Sequence, residues 1–221
     1  MEYPKRLETV HQIELTNHCN LKCVYCMQPK QEREKVFMSE EIFHKSIAIV
    51  KECLEKRKQG SVWLHGLGEP LLHPMLEEFI AYARKELPTV KLLMSSNALL
   101  ITEDMCLMLK NYGIVLHISV HKPEKAMKGI QLAIKHKIVE DISSNAAIRP
   151  NDWAGQLDWA HSPDVFPCAW LREGCGYIMS DGNIVNCCTD VLATNILGTV
   201  DDWRDILIAP YQLCENCNQT P

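Results

Sequence analysis

The sequence lacks long apolar runs, basic clusters and repeats. Its 221 residues contain no apolar stretch of about 18 residues, so no transmembrane helix is expected. Lys and Arg total 23 against 28 Asp and Glu, and no basic run stands out, so we expect neither nucleic acid nor a membrane as partner. The first residues carry no apolar core of a secretory signal, which favours a cytoplasmic protein.

Cysteine is the residue type in excess. The chain has 11 cysteines, an odd number, and no export signal, so complete disulfide pairing explains them poorly. Metal binding or redox chemistry explains them better. The cysteines form an N-terminal triplet, two single residues (Cys53 and Cys106) and a C-terminal set of six.

The triplet has the spacing Cys19-x3-Cys23-x2-Cys26. Three thiolates this close can hold one metal centre, and a cubane held by three thiolates leaves one iron open to another ligand. The spacing differs from the C-x2-C-x2-C and C-x4-C-x2-C runs of ferredoxins. A zinc site completed by His18 or by a remote residue is the alternative.

The triplet, with Tyr25 just before its last cysteine, resembles the signature of radical S-adenosylmethionine (SAM) enzymes. The resemblance implies that Cys19, Cys23 and Cys26 hold a [4Fe–4S] cluster whose open iron takes the amino and carboxylate groups of SAM. It further implies that SAM is cleaved to a 5′-deoxyadenosyl radical, which abstracts a hydrogen atom. In such enzymes the cofactor carries the chemistry and the protein positions it.

Later segments resemble the SAM-binding segments of the same family. Gly66-Leu67-Gly68-Glu69-Pro70 follows a predicted strand, as does Ser95-Ser96-Asn97, which resembles the ribose-contacting segment. Family members often have glycine after this asparagine, where this chain has Ala98. The resemblance implies cofactor binding by Tyr25, Gly66, Gly68, Glu69, Pro70, Ser95, Ser96, Asn97 and Ser119.

The C-terminal cysteines, with Gly182-x4-Cys187 and Cys214-x2-Cys217, resemble the SPASM/twitch extension of radical SAM enzymes. The short chain fits the twitch form, which implies one auxiliary [4Fe–4S] cluster. The ligand set chosen by this resemblance is Cys168, Cys187, Cys214 and Cys217. Cys175 and Cys188 could replace Cys168 and Cys187, and a zinc site with four thiolates fits the same spacing.

Apolar periodicity alternates between strand and helix over the first 150 residues. Such βα alternation predicts a parallel sheet with right-handed crossovers, and the length favours a partial (β/α) TIM-like barrel of about five or six strands. We expect a core domain over residues 1–150 and a small iron–sulfur twitch domain over 151–221. The predicted strands are His11–Thr16, Val62–His65, Val90–Ser95, Ile114–Val120 and Val139–Ile148, followed by a hairpin of Gly176–Ser180 and Asn183–Cys187 around Asp181-Gly182.

Four residues at or near strand ends are candidates for catalysis, because functional loops of (β/α) barrels follow the carboxyl ends of strands. Arg149 could bind the SAM carboxylate or a polar substrate, help to accept a proton, or form a salt bridge between domains. His65, His117 and His121 could each act as substrate ligand or base, or be packed histidines without a role.

The compact core with a twitch unit is similar to that of radical SAM enzymes that dehydrogenate aminocyclitols. We therefore expect hydrogen abstraction from a small carbohydrate-like or aminocyclitol-like substrate, with dehydrogenation or epimerisation as the outcome. A peptide maturase that crosslinks or epimerises residues is the first alternative, and a non-enzymatic zinc or iron–sulfur scaffold is the second. Reductive SAM cleavage implies a flavodoxin or ferredoxin as electron donor.

Overall fold

The computed structural model describes residues 3–56, 60–144, 153–157, 166–217 and 219–220. Within these ranges the helices are α1 (Glu40–Lys56), α2 (Leu76–Glu86), α3 (Glu103–Asn111), α4 (Pro123–Lys135), α5 (Ala169–Glu173) and α6 (Gln212–Glu215). The strands are β1 (Lys5–Arg6), β2 (Thr9–Ile13), β3 (Ser61–Trp63), β4 (Lys91–Ser96), β5 (Ile114–Val120), β6 (Val139–Ser144), β7 (Phe166–Pro167), β8 (Cys175–Ile178), β9 (Asn183–Val185), β10 (Ile196–Thr199), β11 (Leu207–Ile208) and β12 (Gln219–Thr220).

One sheet of eight strands organises the described part of the chain, in the order β10-β9-β8-β2-β3-β4-β5-β6. The six strands from β8 to β6 are parallel to their neighbours, and β9 and β10 add an antiparallel edge. Helices α1 to α4 connect β2 through β6 in sequence order. The prediction of a partial (β/α) barrel with five or six parallel strands is therefore confirmed.

The helices begin where short polar side chains can cap them. Ser39 accepts a hydrogen bond from the backbone N–H of Ile42 at the start of α1, and Thr102 accepts one from Met105 at the start of α3. Each cap satisfies a donor that has no partner inside the helix. The buried faces of α1 and α2 then meet at Phe43 and Phe79, whose rings stack with centroids 4.1 Å apart.

The predicted hairpin forms with a longer turn than its Asp-Gly pair suggests. The backbone N–H of Met179 donates to the carbonyl of Asn183, and that of Gly182 donates to Met179, so three residues form the loop. Gly182 has φ of +89°, the left-handed conformation that three-residue hairpin loops need at their last position. The strands are consequently shorter than predicted, at Cys175–Ile178 and Asn183–Val185.

The C-terminal segment is continuous with the core sheet. Strand β8 pairs in parallel with β2, and Tyr177, Met179 and Val185 share a buried apolar cluster with Met27 and Leu67. The proposed boundary near residue 151 and the end of the strand predicted to reach Ile148 lie outside the described residues. None of the helices in the described ranges is long and apolar enough to cross a membrane.

Candidate active site

The cysteine triplet lies in the loop after β2 and lines a cavity of about 320 Å³, here called the triplet cavity. Burial raises the pKa of the Cys26 thiol to about 11, and neighbouring Cys23 and Cys19 add to the effect. Burial also raises the pKa of Cys19. A metal ion bound at this triplet would favour the thiolate forms of its ligands and so offset the burial of Cys19 and Cys26.

Most of the residues assigned to cofactor binding line the same cavity. They come from four consecutive strand ends of the parallel sheet, which is why residues distant in sequence meet here. Pro70 is the exception, since it is buried at the start of a short 3-10 helix and does not line the cavity. The predicted residues that do line it are Tyr25, Gly66, Gly68, Glu69, Ser95, Ser96, Asn97 and Ser119.

The glycines of the segment Gly66–Pro70, here called the glycine-rich loop, allow it to pack closely against the rest of the protein. A Cβ on Gly68 would lie 2.3 Å from the carbonyl oxygen of Thr16 and 2.5 Å from that of His18. The next backbone N–H, of Glu69, donates to the same His18 carbonyl at 2.8 Å. Gly68 therefore lets the glycine-rich loop lie directly on the cysteine loop.

Glu69 is a buried carboxyl group at the edge of the triplet cavity. It accepts hydrogen bonds from the backbone N–H groups of Asn97 (2.8 Å) and Leu71 (3.3 Å). Burial raises its pKa to about 7 despite these bonds. The side chain thus joins the glycine-rich loop to the end of β4, and its charge depends on pH near neutrality.

Glu14, which follows β2 and is fully buried, is a further site residue that was not predicted from the sequence. Arg33 bonds its carboxylate in a bidentate manner at 3.0 Å, and the hydroxyl of Tyr177 donates to it at 3.0 Å. It also accepts from the backbone of Leu67 and from both the backbone and hydroxyl of Ser180. Burial alone would raise its pKa, but Arg33 and these donors hold it below the usual range.

Glu14 therefore ties three distant segments together, namely the loop after the cysteine triplet, the glycine-rich loop and the C-terminal hairpin. Gly66 is part of the same contact, because a Cβ there would lie 2.2 Å from the Tyr177 hydroxyl oxygen. The one signal in the sequence was a carboxylate at the end of an otherwise apolar strand, IELT.

A second cavity, of about 460 Å³, lies next to the first and is here called the central cavity. His65, Ser95 and Ser119 belong to the walls of both cavities. Burial lowers the pKa of His65 to about 4, so the imidazole is neutral, and its Nδ1 has no partner among the described residues. The further lining residues of the central cavity are His11, Gln12, Trp63, His117, Asp141, Ser143, Ala169, Trp170, Glu173, Cys175 and Cys188.

The C-terminal cysteines line a third cavity, of about 480 Å³, here called the C-terminal cavity. It contains all four predicted auxiliary ligands, Cys168, Cys187, Cys214 and Cys217, together with Cys188. Cys188 also lines the central cavity, as do Ala169 and Trp170. Cys175 is not among the residues lining the C-terminal cavity, and its buried sulfur accepts a hydrogen bond from Thr9 at 3.2 Å.

Each cysteine-lined cavity holds a buried side-chain amide that lacks partners among the described residues. Gln28 Nε2 is unpaired in the wall of the triplet cavity, and both amide atoms of Asn186 are unpaired in the wall of the C-terminal cavity. Buried polar groups normally have a hydrogen-bond partner. The amide N–H groups of Gln28 and Asn186 can donate to acceptor atoms of a bound group, such as cluster sulfides, so both cavities suit an iron–sulfur cluster.

The candidate catalytic residues separate into two cavities. His121 lines the triplet cavity, where its Nδ1 lies 2.7 Å from the Tyr25 hydroxyl, and burial lowers its pKa. His117 lines the central cavity and lies 3.2 Å from the Glu140 carboxylate. His65 faces both, whereas Arg149 lies outside the described residues.

Curated relatives match only part of the chain. The tungsten-containing aldehyde ferredoxin oxidoreductase cofactor-modifying protein of Pyrococcus furiosus is 28% identical over 104 residues, which is 47% of this chain and 28% of that protein. A GTP 3′,8-cyclase of Clostridium botulinum is 34% identical over 107 residues, which is 46% of this chain and 31% of the cyclase. The chain thus spans about a third of the length of these relatives.

Solved structures match nearly the whole chain at low identity, and so show the fold. BtrN in complex with AdoMet (SAM) and 2-DOIA superposes with a TM-score of 0.75 at 17% identity, covering 91% of this chain and 81% of BtrN. The anSMEcpe structure with AdoMet and the Kp18Cys peptide gives 0.63 at 15% identity, covering 89% and 79%. Streptococcus suis SuiB bound to precursor peptide SuiA gives 0.54 at 13% identity, covering 90% and 65%.

The sequence profile of the Radical SAM superfamily matches residues 13–148, which include the cysteine triplet and all the segments assigned to SAM. This match confirms the resemblance seen in the sequence and favours an enzyme over a scaffold protein. The chain therefore belongs to the Radical SAM superfamily of enzymes, and its cofactors are a [4Fe–4S] cluster and S-adenosylmethionine.

Proposed function

We propose that this protein is a radical SAM dehydrogenase that removes hydrogen from a small polar substrate in the central cavity. The main support for this proposal is the spatial arrangement of the three cavities. The central cavity shares walls with the triplet cavity on one side and with the C-terminal cavity on the other. A substrate there would lie between the source of the radical and the cysteines proposed to hold the electron acceptor.

In this proposal Cys19, Cys23 and Cys26 hold the first cluster, and the residues that line the triplet cavity hold SAM. When bound, the cluster and SAM together supply a 5′-deoxyadenosyl radical that takes a hydrogen atom from a C–H bond. The protein's part is to position them. With SAM bound, Glu69 would offer a carboxylate to its ammonium group, Asn97 and the serines would offer hydrogen bonds to its hydroxyls, and Tyr25 would lie on the adenine side.

The auxiliary [4Fe–4S] cluster is assigned to Cys168, Cys187, Cys214 and Cys217 in the C-terminal cavity. Cys188 donates a hydrogen bond to Cys187, and this bond lowers the pKa of the Cys187 thiol, as do bonds from Thr189. This favours Cys187 as the thiolate ligand and leaves Cys188 facing the substrate side. The auxiliary cluster would accept the second electron of the oxidation.

The lining of the central cavity favours a neutral or cationic substrate that is rich in hydroxyl or amino groups. Asp141 and Glu173 supply carboxylates, and no Lys or Arg occurs among the described lining residues. A nucleoside triphosphate, the substrate named for the GTP 3′,8-cyclases, needs cations around its phosphates. An aminocyclitol or amino sugar fits this chemistry better, in keeping with the similarity to the BtrN complex.

Dehydrogenation also requires that the substrate hydroxyl lose its proton. His65 lies in the wall shared by the triplet and central cavities, and its Nδ1 has no partner among the described residues, so this nitrogen is the proposed acceptor of that proton. The step would balance as follows: the hydrogen atom of the C–H bond would end in 5′-deoxyadenosine, the hydroxyl proton on His65, and the remaining electron on the cluster that Cys168, Cys187, Cys214 and Cys217 would hold. His117, His121 and Arg149 remain candidates for substrate binding.

The alternative is a peptide substrate. The structural similarity to peptide-bound anSMEcpe and SuiB supports it, whereas the size of the central cavity, about 460 Å³, favours a small molecule. The electron donor is proposed to be a flavodoxin or ferredoxin that approaches the cysteine loop at exposed Lys22 and Val24.

The test uses anaerobically reconstituted protein with SAM, dithionite and deuterated candidate substrates. Amino sugars and aminocyclitols carrying deuterium on the carbinol carbon should transfer deuterium to 5′-deoxyadenosine, as seen by mass spectrometry. Peptides and nucleoside triphosphates serve as the comparison set. Deuterium transfer from a peptide instead would support the maturase, and transfer from a nucleotide would refute the substrate assignment.

A further inference from the structure

Three metal-binding side chains meet in the wall of the central cavity, and none of them lines either cysteine-lined cavity. They are His11 on β2, Glu173 at the end of α5 and Cys175 at the start of β8. One ligand atom of each lies within 4.8 Å of the others. Strand β2 thus brings an imidazole to the carboxylate and thiol of a segment more than 160 residues further along the chain.

The backbone is irregular at this point in a way that directs His11 toward the cavity. Val10 pairs with Gly176 across β2 and β8, but Gln12 pairs with the next residue, Tyr177, so His11 is an extra residue in β2. Neighbouring residues of a regular strand face opposite sides of a sheet. Because of the bulge, both His11 and Gln12 line the central cavity, and bulges often redirect a side chain near an active site.

The spacing of the imidazole and carboxylate is suited to a bridging cation. His11 Nε2 lies 3.8 Å from Glu173 Oε2, which is too far for a hydrogen bond. Nitrogen and oxygen ligands about 2.0–2.1 Å from a tetrahedral zinc ion are roughly 3.4 Å apart. A small side-chain adjustment would place both atoms on one ion.

Neighbouring groups hold Cys175 and Glu173 in place. The Thr9 hydroxyl donates to the Cys175 sulfur at 3.2 Å, which favours a sulfur that carries negative charge. Arg172 bonds the second carboxylate oxygen of Glu173 at 3.2 Å and leaves Oε2 directed toward His11. Such outer contacts orient metal ligands and tune the bound ion.

We propose that His11, Glu173 and Cys175 form a mononuclear divalent-cation site, with zinc as the favoured ion and an open coordination position toward the central cavity. Imidazole nitrogen, carboxylate oxygen and thiolate sulfur are all zinc ligands, and a site with three protein ligands leaves a fourth position for water or substrate. A hydroxyl or amino group of the substrate takes that position. The site thereby fixes which carbon of the substrate faces the triplet cavity.

The test is zinc K-edge X-ray absorption on reconstituted holoenzyme loaded with one equivalent of zinc. The expected spectrum has one sulfur at about 2.3 Å and two or three nitrogen or oxygen neighbours at about 2.0–2.1 Å. Cys175→Ser should lose the sulfur neighbour and weaken zinc affinity more than about 100-fold, and His11→Gln should also weaken it. Cys106→Ser, which changes a buried cysteine on α3, is the matched control and should bind zinc as the wild type does.

A shell of four sulfurs would place the zinc in the C-terminal cavity and overturn the proposal. Retention of the wild-type affinity by Cys175→Ser and His11→Gln would overturn it as well, as would failure of the holoenzyme to bind a zinc equivalent. Circular dichroism and iron content, unchanged in the variants, establish that they are folded and loaded. The role in orienting the substrate rests on the proposed function, whereas the zinc site itself is tested independently, because zinc binding is measured without SAM, reductant or substrate.

Discussion

Replacement of Glu14 by glutamine removes one charge from the buried contact that joins the cysteine loop, the glycine-rich loop and the C-terminal hairpin. The side chain of Glu14 is fully buried, and that of its partner Arg33 is only 9% exposed. Glutamine has almost the same shape, but it leaves the guanidinium without a counter-charge. Its amide NH₂ group would also face the donors of Leu67, Tyr177 or Ser180.

The loss of one partner from a buried ion pair costs about 3–5 kcal/mol of stability. For a chain of 150–250 residues, each kcal/mol shifts the melting temperature by about 2–4 °C, so Glu14→Gln should lower Tm by roughly 6–20 °C. Scanning calorimetry under anaerobic conditions measures the shift. Glu52→Gln is the control, because Glu52 pairs with Arg204 on the surface at 2.6 Å and should change Tm little.

A second variant separates the ion pair from general damage to the core. Arg33→Met in the Glu14→Gln background removes the unpaired charge and should recover part of the lost stability. The pH dependence has a defined sign, because the pKa of Glu14 is lowered by folding. Its contribution is complete above about pH 4.3 and is lost as the pH falls through the lowered pKa. An unchanged Tm in Glu14→Gln, or a double variant less stable than the single one, would refute the reasoning.

Three further predictions follow from the site. Gly68→Ala places a Cβ 2.3 Å from the carbonyl oxygen of Thr16, so this variant should lose SAM binding as measured by equilibrium dialysis. The control Gly60→Ala should retain SAM binding, because a Cβ at Gly60 has no neighbour within 4 Å. Cys214→Ala should lower iron from about eight to about four atoms per chain, and Cys106→Ala should not; equal iron contents would contradict the auxiliary assignment. Folding raises the pKa of Glu69 to about 7. As the pH rises from about 4.3 to 7, the free energy of unfolding of the apo-protein should therefore fall by up to about 1.4 kcal/mol per pH unit relative to that of Glu69→Gln, as measured by urea unfolding. Parallel pH profiles of the two unfolding free energies would contradict the shift.

The parallel sheet could be predicted because its strands carry local signals. Strand Ile114–Val120 was predicted to the residue, since an apolar alternation starts immediately after Gly113, which has a positive φ. The first strand was predicted two to three residues too late. Leu15 and Thr16 leave the sheet to pair with the segment around Phe37 and Met38, and no local pattern announces that contact.

Long-range pairing explains what the sequence could not supply. Strand β8 was expected only as one half of a hairpin, yet it also joins the core sheet beside β2, a pairing between residues about 165 positions apart in the sequence. The same pairing creates the bulge at His11 and brings Cys175 into the central cavity rather than the C-terminal one. Residues within one motif could be grouped from spacing, whereas contacts between motifs depended on the register of the sheet.

The most direct test of the account is the formation of 5′-deoxyadenosine by anaerobically reconstituted protein given SAM and dithionite, with iron and sulfide measured on the same sample. We expect about eight irons per chain together with formation of 5′-deoxyadenosine. The variant Cys23→Ala should form no 5′-deoxyadenosine and should contain about half as much iron. Protein that binds zinc in place of iron, or carries both clusters and releases no 5′-deoxyadenosine, would contradict it.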